Sequence, residues 1–331
     1  MFKYILKRIG LSILILLGVS FILYALLRCM PTDFVELKIL ALNQNSADGV
    51  SEELIAEMYK AYGLNGNIVE GYFSWLGNIC KLDFGTSFIS KRPVLADVFN
   101  ADRLGTSFFV AAVATVFEFL IAIPLGVTAA RHQYSLLDYL VTVFVLIGIS
   151  LPSFFFGQML KDLLANKLDL FPISGMKDPS YSYEPGSFAA IMDYLRHMFL
   201  PILTVVILSI GGRMRMTRTN MLEVLNSDYI RTARAKGLAE SKVIYKHAFR
   251  NTMIPLVTGL AELIPSLFSG AMITESVFDL TGIGSYALNA MQQGDIPVIM
   301  TYNMFLAFLS VTGVLLADLM YGIVDPRVKL A

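Results

Sequence analysis

The sequence predicts an all-α integral membrane protein with six transmembrane helices and a long extracytoplasmic loop after the first. Three observations support this fold class. Of the 331 residues, 56% are apolar. Only 16% are charged, against about 25% in a typical soluble domain. The apolar residues are also gathered in runs long enough to cross a bilayer.

The first apolar run predicts an N-terminal transmembrane helix within residues 1–30. Residues 9–27 are apolar and uncharged, and Lys3, Lys7 and Arg8 precede them. The run is longer than the apolar core of a secretory signal, and Arg28 follows it instead of a small-residue cleavage site. We therefore expect an uncleaved helix whose basic N-terminal flank stays in the cytoplasm.

Residues 31–103 form the predicted extracytoplasmic loop, which contains amphipathic helices. Glu52 and Glu53 suit the first turn of one helix, because acidic side chains are favourable there. A second helix, about residues 72–79, is rich in aromatic residues that suit a membrane–water interface. Cys29 and Cys80 both fall on this side, and a single pair has no spacing signature. Two separate thiols are the favoured interpretation, and a disulfide between Cys29 and Cys80 is the alternative.

Residues 104–323 contain the remaining five predicted spans, at about 105–130, 136–160, 198–212, 252–273 and 296–323. Lys or Arg stands at the membrane edge of the loops after spans two and four and of the tail, residues 324–331. This distribution predicts that both termini are cytoplasmic. Pro124 and Pro152 interrupt backbone hydrogen bonding in spans two and three, and they predict bends that shape the pathway.

Three acidic residues, Glu118, Glu262 and Asp318, fall inside predicted spans. Ionisable groups in a membrane usually face the bundle interior, a partner or a wet path. Helix packing or a partner contact is favoured over substrate contact for all three. No basic partner is expected inside the spans, because Arg213, Arg215 and Arg218 read as anchors at a helix end.

The polar loop at residues 221–251 is the feature around which the second half is organised. Ser227 or Asp228 can cap a short helix, in which Ala233 and Ala235 are expected to form one smooth face. Gly237 suits the left-handed residue that ends a helix. A second helix is expected over about residues 241–251, with apolar residues spaced for one face.

This loop closely resembles the cytoplasmic "EAA" loop of ABC-importer permeases in the dipeptide/oligopeptide branch. Residues 228–238 read DYIRTARAKGL, and residues 247–255 read HAFRNTMIP. The acidic residue that names the motif is absent, and Arg231 stands near its place. The resemblance extends over nearly the whole chain, including residues 82–87, LDFGTS, and residues 150–154, SLPSF. It implies the type I ABC importer permease fold.

The resemblance also implies a function and partners. The chain would be a permease subunit in the bacterial cytoplasmic membrane that imports peptides by alternating access. Its partners would be a second homologous permease subunit, two ABC ATPase subunits that hold ATP and Mg, and an extracytoplasmic substrate-binding protein. Nickel complexes and oligosaccharides stay open as substrates. The chain contains no G-x-x-x-x-G-K-[ST] phosphate loop, so we do not expect it to bind and split ATP by that route. It also has no H-E-x-x-H helix and no Ser/His/Asp set in motif context. We therefore expect no catalytic residue, and no cofactor, metal or nucleic-acid partner is expected for this chain.

Two sets of residues are candidate sites by this resemblance. The proposed contacts to the ATPase are Asp228, Tyr229, Arg231, Ala233, Arg234, Ala235, Lys236 and Gly237. The proposed pathway or outer-gate residues are Pro152, Glu275, Phe278, Gly282 and Gly284. For the second set, a Gly-rich surface turn followed by an interfacial helix is an equal alternative.

An ATP-independent secondary transporter or channel subunit is the competing class. It would need paired charged groups near the membrane midplane and, commonly, internal repeats. No internal repeat is visible in the sequence. A structural membrane assembly subunit is a third class, which would leave the loop motif unexplained.

Overall fold

The computed structural model of the chain describes residues 2–29, 34–45, 51–61, 66–181, 183–184, 186–258 and 260–324. This described part is almost wholly helical. The helices of the first half are α1 (Phe2–Arg28), α2 (Phe34–Asn45), α3 (Glu52–Ala61), α4 (Ile68–Ile79), α5 (Val94–Val98), α6 (Ala101–Arg131), α7 (Leu136–Ser150) and α8 (Ser153–Leu160). A π-helical turn, Lys161–Lys167, continues α8.

The second half is also helical throughout its described residues. Its helices are α9 (Phe188–Leu225), α10 (Asp228–Ala235), α11 (Glu240–Lys242), α12 (Phe249–Thr258), α13 (Leu260–Ser269), α14 (Met272–Val277), α15 (Ile283–Gln292) and α16 (Ile296–Val324). A π-helical turn, Val243–Ala248, joins α11 to α12. The tail from residue 325 lies outside the described residues.

Within the described residues, four helical stretches are long and apolar enough to cross a membrane. They are Leu6–Arg28, Val94–Arg131, Phe188–Leu225 and Ile296–Leu316. They correspond to predicted spans one, two, four and six.

The third predicted span is not one straight helix. Leu136–Gly148 and Ser153–Lys167 meet at 100°, so they form either a broken span or a re-entrant loop. Leu151 is extended with ψ 129°, because a residue that precedes proline is driven out of the α region. Pro152 then begins α8 as its N-cap residue. A break at Pro152 is thus present, whereas α6 continues through Pro124 as one helix.

The fifth predicted span is divided among α12, α13 and α14, and residue 259 lies outside the described part. Its apolar portion, Leu263–Val277, is shorter than a spanning helix. Gly270 has φ +68° between α13 and α14, a conformation that interrupts an α-helix. The described residues therefore support up to five spans by length and composition, against the six predicted.

The chain divides into two compact units. The first comprises residues 1–105 and 283–331. In it, α1 packs along α16 and against α4, around a core that includes Tyr24, Tyr72, Ile296 and Met300. The Ser20 hydroxyl and the Tyr72 hydroxyl are 2.9 Å apart. The amphipathic helices predicted for the loop are present as α3 and α4. Cys29 and Cys80 are both free and exposed.

A buried carboxylate organises the hairpin at residues 83–94 of the first unit. Asp295 is 1% exposed. It accepts a hydrogen bond from the Ser87 hydroxyl at 2.5 Å and another from the Phe88 N–H at 3.1 Å. Val94 N–H donates to the Gly85 carbonyl at 3.0 Å, which closes the hairpin. The LDFGTS segment is therefore held rigidly against the start of α16.

A second buried carboxylate, Asp97, ties the same region to α15. It accepts from the Ser90 hydroxyl at 2.6 Å and from the Tyr286 hydroxyl at 3.2 Å. The Arg103 guanidinium lies 3.9 Å from the centre of the Tyr286 ring. Burial and, secondly, the Asp97 charge raise the pKa of Tyr286 to about 12. Tyr286 therefore stays a neutral hydrogen-bond donor at physiological pH.

The second unit comprises residues 106–282. Its longest helix, α9, has 38 residues and packs against α7, α8 and α12. Three buried apolar clusters fill this unit. We name the cluster that contains residues of α10 the cushion. It consists of Val127, Ala130, Met221, Ile230, Ala233, Val243, Ile244 and Ala248.

Candidate functional site

The polar loop after α9 begins with α10, a helix of 8 residues. Ser227 occupies the N-cap position, but its hydroxyl donates back to the Val224 carbonyl at 2.6 Å. No side chain caps α10, so the predicted cap by Ser227 or Asp228 is wrong. The Asp228 side chain is 97% exposed and lies 3.7 Å from the Arg231 guanidinium. Both residues therefore face solvent at the start of the helix.

The end of α10 matches the prediction for Gly237. Its φ is +72°, its N–H donates to the Arg234 carbonyl at 2.9 Å, and the Leu238 N–H donates to the Ala233 carbonyl at 3.4 Å. These two bonds are the Schellman arrangement that ends helices at a left-handed glycine. The turn sets the angle between α10 and the helix that follows.

The two alanines of α10 do not share a face, contrary to the expectation of one smooth surface. Ala233 is 9% exposed and belongs to the cushion together with Ile230, which is fully buried. Ala235 is exposed. Residues two apart on a helix point about 200° apart, so Ala233 packs inward while Ala235 faces out. Ala233 supports α10 from within its own chain.

The exposed face of α10 carries most of the predicted contact residues. Tyr229 is 47% exposed, and Asp228, Arg231, Arg234 and Ala235 of α10 are also exposed. Lys236 and Gly237, which directly follow α10, are exposed as well.

Arg234 is already engaged within the chain. It donates to both carboxylate oxygens of Glu240, at 2.8 and 3.2 Å. These hydrogen bonds lower the pKa of Glu240 and raise that of Arg234. The pair bridges the Gly237 turn, so Arg234 braces the loop and is less available to a partner than expected.

The segment after the turn has the apolar face predicted from its spacing. Val243, Ile244 and Ala248 are at most 1% exposed, and all belong to the cushion. Phe249 packs against the same cluster. This confirms the apolar face. The cushion therefore connects α10 to α9 through Met221 and to the segment that leads into α12.

Two ion pairs join α9 to its neighbours, where no basic partner was expected. The Arg213 Nε donates to Glu118 of α6 at 3.0 Å. The Arg218 Nε and Nη2 donate to the two carboxylate oxygens of Asp138 in α7, both at 2.8 Å. Their partners lie 95 and 80 residues away in sequence, so no local pattern could reveal them. The prediction that Glu118 has a packing role fits this pairing.

The α6–α9 contact is also unusually close. A Cβ atom added to Gly126 would lie 2.7 Å from the Thr217 Cβ and 2.8 Å from the Met214 carbonyl oxygen. Only glycine fits such an approach without displacing the neighbouring helix. Together with the ion pairs, this contact makes α6, α7 and α9 a tightly connected group. Glu262 and Asp318 lie on described helices, but their side chains lie outside the described part.

Three of the candidate outer-gate residues, Glu275, Phe278 and Gly282, lie in one stretch of the second unit. Glu275 is fully buried and accepts from the Ser107 hydroxyl at 2.7 Å and the Ala271 N–H at 3.1 Å. A Cβ on Gly282 would overlap the Glu275 carboxylate. Phe278, 1% exposed, lies between them in sequence, and its carbonyl accepts from the Gly175 N–H at 2.8 Å. These contacts describe a buried, hydrogen-bonded turn.

The two remaining gate candidates lie apart from that turn in the chain. Pro152 is exposed at the start of α8, the helix that packs against α14. Gly284 is buried in α15, which belongs to the first unit. The Glu275 turn belongs to the second unit, and its gating role stays a prediction.

Long apolar helices, together with an exposed polar helix packed on a buried cluster, define the class of this protein as a multi-pass membrane protein. Comparison with known proteins agrees with that class. The family model for the "Binding-protein-dependent transport system inner membrane component" matches residues 122–330. A companion model for the N-terminal part of such membrane components matches residues 1–116. The chain belongs to this family of binding-protein-dependent ABC transporter permeases.

Individual relatives match over their full length. The chain is 36% identical to the oligopeptide transport system permease protein AppB of Bacillus subtilis, over 99% of this chain and 100% of the relative. It is 33% identical to the dipeptide transport system permease protein DppB of Escherichia coli K12, over 99% of each chain. It is also 33% identical to the DppB protein of Lactococcus lactis, over 100% of each chain.

Proposed function

We propose that this chain is the membrane-spanning permease subunit of an ATP-driven peptide importer, and that α10 couples it to a partner ATPase. The observation that carries the proposal is the two-sided construction of α10. Its inner side, Ile230 and Ala233, is buried in the cushion, and its outer side is exposed and polar. A helix that is rigidly backed and unobstructed on its outer face is suited to receive a partner and to transmit its movement.

A displacement of α10 has a physical route into the membrane helices. Packed side chains resist compression, so the cushion passes force from α10 to α9 through Met221 and to the start of α12 through Ala248. The Arg218–Asp138 pair connects α9 to α7, which leads to the break at Pro152. In the proposed mechanism, ATPase closure drives this route and opens the pathway outward to accept substrate.

The proposed substrates are peptides, because the three relatives named above are oligopeptide or dipeptide permeases. The proposed partners are a second homologous permease, two ATPase subunits that hold ATP and Mg, and an extracytoplasmic binding protein. The proposed topology has six spans and both termini in the cytoplasm. In it, the broken α7–α8 pair and the divided α12–α14 segment supply spans three and five.

A secondary transporter that works without ATPases retains one supporting observation. The Glu118–Arg213 pair is a charged pair within apolar helices, as such transporters require. The same pair is also accounted for by a packing contact between α6 and α9. The two functions differ in whether ATPase subunits bind this chain.

The test is Ala235→Trp in the complete transporter. The indole would project from the outer face of α10, so we expect ATPase subunits to co-purify poorly and substrate-stimulated ATP hydrolysis to fall at least tenfold. Because Ala235 does not belong to the cushion, the permease should still insert. Ala101→Trp is the matched control, since Ala101 is also exposed but lies at the start of α6.

Equal co-purification and normal stimulation in both tryptophan variants would refute the coupling role of α10. Transport by a chain purified without any ATPase subunit would instead support the secondary-transporter alternative.

A further inference from the structure

A cleft lies beside the C-terminal end of α1 in the first unit. Its volume is about 470 Å³, within the range of about 300–1,000 Å³ typical of small-ligand sites. Residues of α1, α4, the 83–94 hairpin and the first turns of α16 line it. We name it the interfacial cleft, because α1 is a candidate membrane span that ends at Arg28. That position is at a membrane surface whichever way the chain is oriented.

The charges that line the interfacial cleft favour an anion. Arg28 and Lys91 contribute two positive charges, and Asp83 contributes one negative charge. An Asp83 carboxylate oxygen accepts the Gly85 N–H at 2.9 Å, so this acid is partly occupied by its own turn. The net charge of the lining is positive, which suits a phosphodiester group.

The Lys91 backbone is held in place by the hairpin. Its φ is +59°, and its N–H donates to the Ser87 carbonyl at 3.2 Å. Ser87 is in turn bound to the buried Asp295 at 2.5 Å. The position of the Lys91 backbone is therefore set by the folded core, and Lys91 lines the cleft wall.

The cleft continues into an apolar surface. Tyr24 and Trp75, whose ring centres are 6.0 Å apart, line it and are the residue types that prefer the membrane interface. On the Tyr24 side of α1, Leu14, Leu17 and Phe21 follow at helical spacing and are 67%, 41% and 41% exposed. This stripe leads about 15 Å along the helix from Tyr24 to Leu14 at 1.5 Å per residue.

We propose that the interfacial cleft binds an anionic glycerophospholipid. The phosphodiester lies between Arg28 and Lys91, the glycerol backbone lies against Tyr24 and Trp75, and an acyl chain follows the exposed α1 stripe. A soluble anion would use only the charged part of this surface, and a protein partner would have no need of a basic cleft that opens onto an apolar stripe.

The experiment measures lipid retained on the purified, complete transporter by native mass spectrometry. The protein is equilibrated in micelles that contain equal amounts of phosphatidylglycerol and phosphatidylcholine with identical acyl chains. We expect preferential retention of phosphatidylglycerol. Lys91→Gln should lower this preference about fivefold, the factor contributed by one basic residue close to anionic lipid. Lys91→Arg should preserve the preference and shows that the fold tolerates substitution there.

Neighbouring residues provide matched controls. Arg92 is the next residue after Lys91 but does not line the cleft. Arg92→Gln removes the same charge as Lys91→Gln, and it should leave the lipid preference unchanged. Ser74→Trp should fill the cleft and lower retention of both lipids. Phe73→Trp, at an adjacent residue that is 64% exposed and outside the lining, should not.

Three results would overturn the proposal. Equal retention of the two lipids by the unaltered protein would exclude selectivity for anionic lipid. Equal losses in Lys91→Gln and Arg92→Gln would assign the preference to general surface charge. Displacement of phosphatidylglycerol by millimolar inorganic phosphate would show that the ligand is a soluble anion. None of these readouts requires transport, so they are independent of the proposed import function.

Discussion

The ion pair between Asp138 and Arg218 permits a quantitative test of how rigidly α7 is held to α9. The side chains are 4% and 26% exposed, respectively, and two hydrogen bonds of 2.8 Å join them. Asp138→Asn would leave the guanidinium without its charged partner. Breaking a buried pair costs about 3–5 kcal/mol. Because a quarter of the Arg218 side chain is exposed, water can rehydrate part of it, and we expect a cost of about 3 kcal/mol.

Thermal unfolding of the purified transporter measures this cost. At roughly 2 °C per kcal/mol for a chain of this size, Asp138→Asn should lower Tm by about 6 °C. Asparagine keeps a side-chain oxygen for the Tyr134 N–H, which donates to Asp138 at 3.0 Å, so the loss reports mainly on the ion pair. Replacing both Asp138 and Arg218 by Leu should recover most of the Tm, since no charge is then stranded.

Arg215→Gln is the control for general charge effects, because Arg215 is exposed on the same helix. Its Tm should change by no more than about 1 °C. If the Asp138→Asn and Arg215→Gln variants have the same Tm, the Asp138–Arg218 pair contributes no more to stability than an exposed surface contact. The route proposed from α9 into α7 would then lose its physical basis.

Three further predictions follow from the loop and its surroundings. Gly237→Val should uncouple ATP hydrolysis from transport: nothing lies within 4 Å of a Cβ added there, so the only penalty is the φ of +72°, about 1–2 kcal/mol for a non-glycine residue. Gly237→Asn, which tolerates this φ better, should keep more coupling; equal transport-to-hydrolysis ratios in both variants would contradict the strain argument. Glu240→Gln should lower Tm slightly at pH 7, by the equivalent of about 0.5 kcal/mol for an exposed pair. Because Arg234 lowers the pKa of Glu240, the stabilisation is present above the unfolded pKa and disappears as the pH falls through the folded pKa; a Tm difference that persists there would refute it. Cysteines placed singly at Ser180 and Ser241, in a background without native cysteines, should be labelled from opposite sides of the membrane; labelling of the Ser241 variant by an impermeant reagent in intact cells would overturn the topology.

Local sequence was sufficient for several features of the fold and site. Apolar runs of about 20 residues identify a membrane protein because no other environment accommodates them cheaply. The Gly237 turn was predictable because a single residue type favours a left-handed helix end. The buried face of Val243, Ile244 and Ala248 followed from helical periodicity alone. A bend at Pro152 was likewise expected, since proline removes a backbone donor and restricts the residue before it, but the break into two helices was not.

Other features were decided only by tertiary structure. Periodicity identifies a helix but does not say which side of α10 meets the rest of the chain, so Ala233 and Ala235 were wrongly placed on one face. The partners of Arg213 and Arg218 lie on other helices, and no local pattern links residues so far apart in sequence. The 100° angle between α7 and α8 exceeds what one proline dictates, because packing of α8 against α9 and α14 fixes the direction of the second segment. The sequence by itself therefore determined which segments are helical and apolar, while packing of Ile230 and Ala233 against distant residues determined which side of α10 remains exposed.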